Sequence, residues 1–428
     1  MNSVSSLALE GAPKTWKTRY TVLLLIWLGW MFSFLDRMIM SVSLPFIGKD
    51  MGIDTTEQGL IISAFFLAYA GFQIPGGWLG DKFGPRKVMA FAITWWSIFT
   101  TLTGFVFTLP VMLAVRFFFG LGEGAYPGSS WKTIATYFPS KERGRATAIQ
   151  SSVNTLGPAL AAIVAAAIIG ALGWQMVFVI MGVPGILIAL GMYLYIRNDP
   201  KDHPHITAYE LAELEADRKA QGSKASGEEI PFMTVLKSPV LWQMAAIWFL
   251  FDITFWGFSS WLPSYLMKVR GFSLAKTGVM AAIPFLCGTV GTLVGGYLSD
   301  KGKDTRKWFY VVASVISAGF LYLVFSVESA DMAVVYQCIS SFFMFLAMEL
   351  FWGILMDQIP TKIMARASGI VNFGGQMAGV ISAPTIGYLI QSSGGSYYSA
   401  FWFMIVALAA SAVVTAMLKN TSGQASAI

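Results

Sequence analysis

The stretch GGWLGDKFG, residues 76–84, returns in altered form as GGYLSDKGK at 295–303, setting Asp81 against Asp300 at an offset of 219. A second pair keeps nearly the same register. PSKERGRATAI at 139–149 and PTKIMARASGI at 360–370 align Arg145 with Arg366, an offset of 221. Two matches at almost one offset indicate a duplicated unit whose copies run in the same direction. When both copies cross a membrane, such parallel repeats are related by an axis along its normal and enclose a site near the midplane.

The composition puts the duplicated unit in a membrane. The 428 residues are 56% hydrophobic and 12% charged, with a mean hydropathy of +0.63, too apolar for a soluble chain of this length. Apolar runs of about 20 residues, enough to cross a bilayer core, fall at 20–41, 58–79, 88–107, 109–132, 146–168, 174–196, 240–266, 277–299, 308–326, 332–357, 366–390 and 398–418. The first run follows Lys14, Lys17 and Arg19 but is too long for a signal peptide. It contains Asp36 and Arg37 and lacks an A-x-A-like exit, so it is a retained span. The expected fold is an all-α membrane protein of twelve transmembrane helices in two pseudo-symmetric six-helix bundles, 1–196 and 239–428. Between them, 197–238 reads as a solvated cytoplasmic linker with a short amphipathic helix in HITAYELAELEADRKAQ.

Lys and Arg orient the spans. With both termini cytoplasmic, twenty-two basic residues fall in cytoplasmic segments and four (Lys49, Lys268, Arg270, Lys276) on the other side, a clear positive-inside bias. The net charge of +6 is therefore topogenic, and no nucleic-acid partner is expected. Cys287 and Cys338 lie in apolar runs and form no disulfide framework or metal motif. His203 and His205 read as solvated loop residues rather than ligands. Neither a metal nor an organic cofactor is expected.

Charges at mid-span cost about 2.5–3.5 kcal/mol each on insertion scales and are functional candidates by default. They are Asp36 and Arg37 in the first span, Arg116 and Glu123 in the fourth, Asp252 in the seventh and Glu349 in the tenth. Lys132 and Asp357 lie near span ends, within snorkelling reach of the interface. Arg116 and Glu123 are two helical turns apart and share one face. Gly120, Gly124 and Gly128 form a small-residue ladder suited to close helix packing. An Arg on that face offers a bidentate clamp for a carboxylate, which a Lys does not; the competing reading is a structural Arg–carboxylate pair. Asp36 and Arg37 point about 100° apart, so one can face a ligand path while the other faces the fourth helix.

GWLGDKFGPRK, with Gly77, Asp81, Lys82, Gly84, Arg86 and Lys87 in register, resembles the signature loop between the second and third helices of the major facilitator superfamily. The resemblance implies that Asp81 faces a helix N-terminus in the other half, where an anion is favoured, and that the basic residues meet carboxylates or lipid headgroups. RFFFGLGEGAYPG is similar to the fourth-helix signature of the anion:cation symporters within that superfamily. The Asp36–Arg37 pair, Tyr69 and the loop FPSKERGRA match as well. That family implies proton-driven uptake of organic anions, often sugar acids such as aldonates or hexuronates. Arg37 and Arg116 would hold the carboxylate, Asp36 and Glu123 would carry protons, and Tyr69 would bond the substrate. Gln150 and Asn154 on the fifth helix, and Trp352, Asn372 and Gln376 in the second half, would complete the site. Glu349 departs from the sugar-acid branch, where a nearby position is neutral, which keeps aromatic or other carboxylates open as cargo.

The expected cycle is alternating access. Protonating Asp36 and Glu123 frees the arginines from internal carboxylates, and the anion takes their place. A proton antiporter is the nearest alternative; VNTLGPALAA keeps Gly157 and Pro158 of the antiporter signature but has Val153, Ala161 and Ala162 in place of its other glycines. A transporter-like sensor is a second alternative. No nucleophile–His or metal constellation points to an enzyme. The chain is expected to act as a monomer in a bacterial inner membrane, with Asn420 cytoplasmic and unglycosylated.

Overall fold

The computed structural model describes residues 16–222, 236–301, 305–359 and 363–418. Lys14, Lys224, Lys303, Lys362, Lys419 and Asn420 lie outside the described residues. The first bundle comprises α1 (Thr18–Met51), α2 (Thr55–Phe83), α3 (Pro85–Thr103), α4 (Leu109–Tyr137), α5 (Ser140–Leu172, broken at Ser152) and α6 (Trp174–Tyr195). A short α7 (Ala208–Gly222) follows. The second bundle comprises α8 (Pro239–Lys268), α9 (Leu274–Lys301), α10 (Arg306–Ser326), α11 (Ala330–Gln358), α12 (Met364–Ser392) and α13 (Tyr398–Ala416).

Ten of these helices are long and apolar enough to cross a membrane. The other two of the twelve long helices are α3 and α12, whose Thr and Trp, or Gly, Asn372 and Gln376, lower the mean hydropathy. Both pack among spanning neighbours: α3 against α4 and α6, and α12 against α8 and α2. Several helices overrun their apolar cores. α1 continues to Met51, past the expected end at 41, and stops at Gly52 with φ 65°. After a short connection, α2 starts with a capping box. Asp54 accepts from the Glu57 backbone N–H (2.8 Å), and the Asp54 N–H donates to Glu57 (2.9 Å), satisfying two orphan donors reciprocally. α3 ends at Thr103, short of 107, while α4 runs on to Tyr137. The segment read as the loop FPSKERGRA is helical from Ser140 onward.

The duplication is visible as recurring contacts. α1 with α5, α2 with α4 and α3 with α6 reappear as α8 with α12, α9 with α11 and α10 with α13. Individual glycines recur too. At Gly76 and at Gly295, 219 residues on, a Cβ would collide with the backbone of α4 or α11, whereas at Gly77 and Gly296 it would meet nothing. Lipid is as apolar as Leu, so membrane helices associate through close packing rather than hydrophobic exclusion, and these contact glycines permit it. The ladder of Gly120, Gly124 and Gly128 does the same, meeting α2 at Phe65, Tyr69 and Gly77.

The bundles touch mainly at one end. Thr55 donates to the Gly387 carbonyl (2.8 Å), Gly59 packs on Ala383 and Pro384, and Ser63 donates to the Val380 carbonyl (2.7 Å). Gly278 on α9 lies against Ala162 and Ala166 of α5. Further along the α2–α12 seam, Asn372 donates to Gln73 (3.3 Å). Beyond it, Ile74, Trp78 and Phe83 are exposed. Among the described residues, the contacts of Thr55, Gly59, Ser63 and Gly278 join the bundles at the end away from the described chain termini.

The reading of 197–238 as solvated is corrected for its first part. Arg19 at the start of α1 bonds Glu213 of α7 (2.7 Å) and Glu142 (3.1 Å), Lys141 reaches Glu213 (2.8 Å), and Glu210 accepts from the Thr18 backbone N–H (3.4 Å). Arg19 and Glu213 are 1% and 8% exposed. Burial alone would raise the Glu213 pKa, but the bonds from Lys141 and Arg19 outweigh it and hold the carboxyl below the usual glutamate range. His203 is likewise buried, against the rings of Tyr195 (4.7 Å) and Tyr137 (6.3 Å). Burial, then His205 and Arg197, lower its pKa. Matching charges and aromatic surface on the bundle dock a segment whose polarity suggests solvent.

Candidate functional site

Four charges predicted to matter converge at the middle of the first bundle. Arg37 donates from Nε to the Glu123 carboxylate at 2.7 Å, joining α1 to α4. Its guanidinium sits over the rings of Tyr69 (4.4 Å), Phe65 (5.0 Å) and Phe34 (5.2 Å). Ser33, one turn before Arg37, lies beside Glu123, whose Oε1 has no hydrogen-bond partner. Asp36 accepts from Thr100 on α3 (3.0 Å), leaving its other oxygen without a partner. Arg116 is 2% exposed, and its Nε and Nη1 have no hydrogen-bond partner. It stacks over Phe119 (4.2 Å) and Phe65 (5.6 Å) and feels the charges of Glu123, Asp36 and Arg37.

The shared face of Arg116 and Glu123 is therefore real, but the pair forms between helices. Glu123 bonds Arg37, and Arg116 is left with open donor positions. An unpaired buried guanidinium is costly. This one is eased by aromatic faces and by the field of two carboxylates, and it keeps bidentate donors available.

The remaining predicted residues divide. Tyr69 is buried beneath Arg37 rather than free. Gln150 is 2% exposed with both amide atoms unpartnered, and Asn154, partly buried, lies on the other side of the Ser152 break. In the second bundle Trp352 stacks near Trp248 (5.1 Å), and Gln376 is buried with Oε1 unpartnered. Asn372 is not an open donor in this conformation, because Gln73 takes its amide. Asp252 is buried beside Gly375, and Glu349 on α11 lies against Gly295 of α9.

The expectation for Asp81 is also corrected. It does not face a helix N-terminus in the other half; Lys132 of α4 binds it at 2.6 Å, and the Asp81 side chain is 73% exposed. Among the described residues, Lys132 is the ion-pair partner of Asp81. Gly84 adopts φ 85° between α2 and α3, a conformation Gly takes without penalty, and Arg86 bonds the Tyr193 carbonyl of α6 (2.7 Å). Lys82 lies over Trp78 (4.7 Å), and Lys87 is exposed. Asp357, near the end of α11, is bound by Arg306 at 2.6 Å.

The sequence reading missed Thr100, Ser33, Gln73 and the rings around the charges. Gln73 alone carried a signal, as a polar residue within an apolar run. The aromatic partners look like ordinary membrane residues until their neighbours are known.

Comparison with known proteins agrees with this architecture. The profile of the Major Facilitator Superfamily matches residues 26–383. The chain is 32% identical to the probable sulfoacetate transporter SauU of Cupriavidus necator, over 88% of this chain and 89% of the relative. It is 33% identical to the probable galactarate/D-glucarate transporter GarP of Escherichia coli K12, over 87% and 88%. A bacterial homologue of the human lysosomal transporter Spinster, in an inward-facing and occupied conformation, superposes with a TM-score of 0.73 at 21% identity, covering 95% and 96%. A D-xylose–proton symporter superposes with a TM-score of 0.72 at 15% identity, covering 93% and 97%. Those two likenesses speak for the fold. With a profile match across most of its length and relatives above 30% identity, the chain belongs to the Major Facilitator Superfamily and is a transport protein.

Proposed function

We propose that the protein imports a small organic carboxylate together with protons by alternating access, with both termini in the bacterial cytoplasm. The observation that carries this is Arg116, a fully buried guanidinium at mid-membrane with unpartnered donors, beside an Arg37–Glu123 pair that a carboxylate could exchange into. A carboxylate docking on Arg116 gains charge-assisted, bidentate hydrogen bonds and competes with Glu123 for Arg37. Protonating Glu123 weakens its hold on Arg37 and frees the second cation. Asp36, with one oxygen on Thr100 and the other open, is the second proton acceptor. The sugar-acid and sulfoacetate carriers among the relatives support an organic acid as cargo.

In this reading the conformation is the inward-open end of the cycle. The outer seam is closed through Thr55, Gly59 and Ser63, and Asp81 is paired with Lys132. In the outward-open state the seam would separate, and Asp81 would leave Lys132 for the N-terminus of α12, where the helix dipole favours an anion. Two protons entering with a monoanion move net positive charge inward, favoured by about 2.3 kcal/mol per charge per 100 mV.

The test is uptake of radiolabelled organic acids into proteoliposomes with an imposed pH gradient, beside Arg116→Lys. Accumulation that follows the gradient and vanishes in the variant supports the reading. Uptake indifferent to the gradient removes proton coupling, and uptake surviving in Arg116→Lys removes the clamp.

A further inference from the structure

The second bundle holds a buried acid that this cycle does not use. Asp252 lies at the midpoint of α8 and is 3% exposed. No described residue supplies its carboxyl with an ion pair or a hydrogen bond. One oxygen lies over Gly375 of α12, and the Trp248 indole nitrogen crowds the same spot. That indole N–H has no acceptor, and neither does the Trp256 indole; Gln376 Oε1, on the residue after Gly375, has no donor. Trp248, Asp252 and Trp256 are spaced one turn apart and share a face of α8.

Aromatic contacts link this cluster to the arginines. Trp256 packs edge-on against Phe66 of α2 (4.7 Å), and Phe66 adjoins Phe65 (5.0 Å), over which both guanidinium groups sit. The Trp256–Phe66 contact lies toward the joined end. Asp252 is one turn farther from that end on α8, as Tyr69 is on α2. Asp252 is on α8 and Arg116 on α4, so a ligand touching both would span the two bundles.

We propose that Asp252, with Gln376, receives the end of the cargo opposite its carboxylate and selects a hydrogen-bond donor there, a hydroxyl or an ammonium group, against a second anion. The proposal rests on the carboxylate docking at Arg116. An unpaired buried carboxylate and an open carbonyl oxygen are both acceptors, and a donor satisfies them at once. A second carboxylate could accept only from the two indoles and the Gln376 amide nitrogen. Beside Asp252 it forms a like-charge pair of which one member must be protonated. The other charged groups around this bundle's interior do not relieve it. Glu349 is itself an acid, and Tyr310 on α10, which feels Asp252, is occupied by Ser411 (2.7 Å).

The experiment is ligand binding to the purified full-length protein at pH 8, using gluconate, glucarate and 6-aminohexanoate, on wild type and Asp252→Asn. These probes share six carbons and one carboxylate. Their far ends are a hydroxyl, a second carboxylate and an ammonium. Wild type is expected to bind gluconate or 6-aminohexanoate at least tenfold tighter than glucarate, and Asp252→Asn to bring the two within threefold. The donor-ended probe losing more in the variant identifies hydroxyl or ammonium as the group recognised. Because the readout is a ratio of dissociation constants in one preparation, partial misfolding of the variant does not mimic it. Glucarate binding wild type as well as the others, or an unchanged ratio in Asp252→Asn, overturns the proposal while leaving the carboxylate clamp standing. If wild type binds none of the three, and no other organic acid raises its melting temperature, the clamp itself is wrong and this inference falls with it.

Discussion

The two bundles repeat one scaffold but not one chemistry. The first encloses two arginines and two carboxylates around Phe65 and Tyr69. The second, at the same depth, encloses Asp252, Trp248 and Gln376, with no arginine among the described residues at mid-span. Contacts that depend on shape, such as α2 with α4 and α9 with α11, recur, and so does the placing of close-contact glycines. Duplication constrains packing, because a membrane bundle lacking its small residues cannot close. It leaves interior polar groups free to diverge, since each needs only one local partner or a ligand.

The largest test of this asymmetry is Arg116→Lys against Gln376→Ala. Lysine keeps the charge but loses the planar fork, and the predicted result is at least a hundredfold loss of carboxylate affinity with normal membrane insertion. Gln376→Ala removes one acceptor from a neutral contact and should weaken binding less than tenfold. Titrating both variants with one ligand checks the contrast. Similar losses in the two would place binding energy evenly across the bundles and break the comparison.

Glu123→Gln separates coupling from binding. Glutamine resembles the protonated acid but cannot release a proton. If Glu123 must deprotonate and retake Arg37 before the empty carrier resets, the variant should exchange labelled for unlabelled substrate at near wild-type rate. Net uptake driven by a pH gradient should fall at least tenfold. Asp36→Asn should also cut net accumulation while leaving binding within a few-fold, because Arg37 keeps its partner. Joint loss of exchange and uptake in Glu123→Gln would mark the Arg37 pair as structural.

The shared scaffold makes a smaller prediction. Gly76→Ala and Gly295→Ala each push a methyl group into a neighbouring backbone, and overpacking of this kind costs about 1–3 kcal/mol. Gly77→Ala and Gly296→Ala meet open space and should leave the melting temperature within error. Equal behaviour of each symmetry-related pair, in detergent unfolding of the four variants, sharpens the structural half of the comparison.

What could be read in advance follows the same division. Helices, duplication and the four charges were legible because insertion energetics make apolar length and buried charge conspicuous. Partner choice was not. That Glu123 would take Arg37 rather than Arg116 depends on how α1 is rotated against α4, and nothing in 116–123 encodes it. Asp81 shows another limit: its sequence motif serves a cycle, whereas a single structure holds one conformation. Asp252 appeared as a bare mid-span acid, and its surroundings emerged only with Gly375 and Trp248 packed beside it. The linker misled because α7 is polar on nearly all sides, and polarity alone does not distinguish a helix facing water from one facing matching charges.

That linker supplies the smallest predicted effect and another asymmetry between the bundles. The bonds named above from α7 end on α1 and α5 of the first bundle. Glu213 is their centre, bound by Arg19, Lys141 and, at 3.5 Å, Lys17. Its carboxyl is held below the usual glutamate value, so the sign of the pH effect is fixed. A group whose folded pKa is depressed stabilises the fold above its unfolded value, about 4.3 for glutamate, and that stabilisation fades as pH falls through the depressed value. Lys141 is largely exposed, which screens part of the attraction, so Glu213→Gln should cost no more than about 1 kcal/mol near neutral pH. The difference in melting temperature from wild type should hold steady from pH 8 to pH 5 and shrink on further acidification. Hydrogen exchange should quicken at the α7 end of α1 and at the start of α5, and stay unchanged in α8 to α13. A penalty that grows with acid, or exchange that quickens equally in both bundles, would mean that α7 is not a clasp on the first bundle alone.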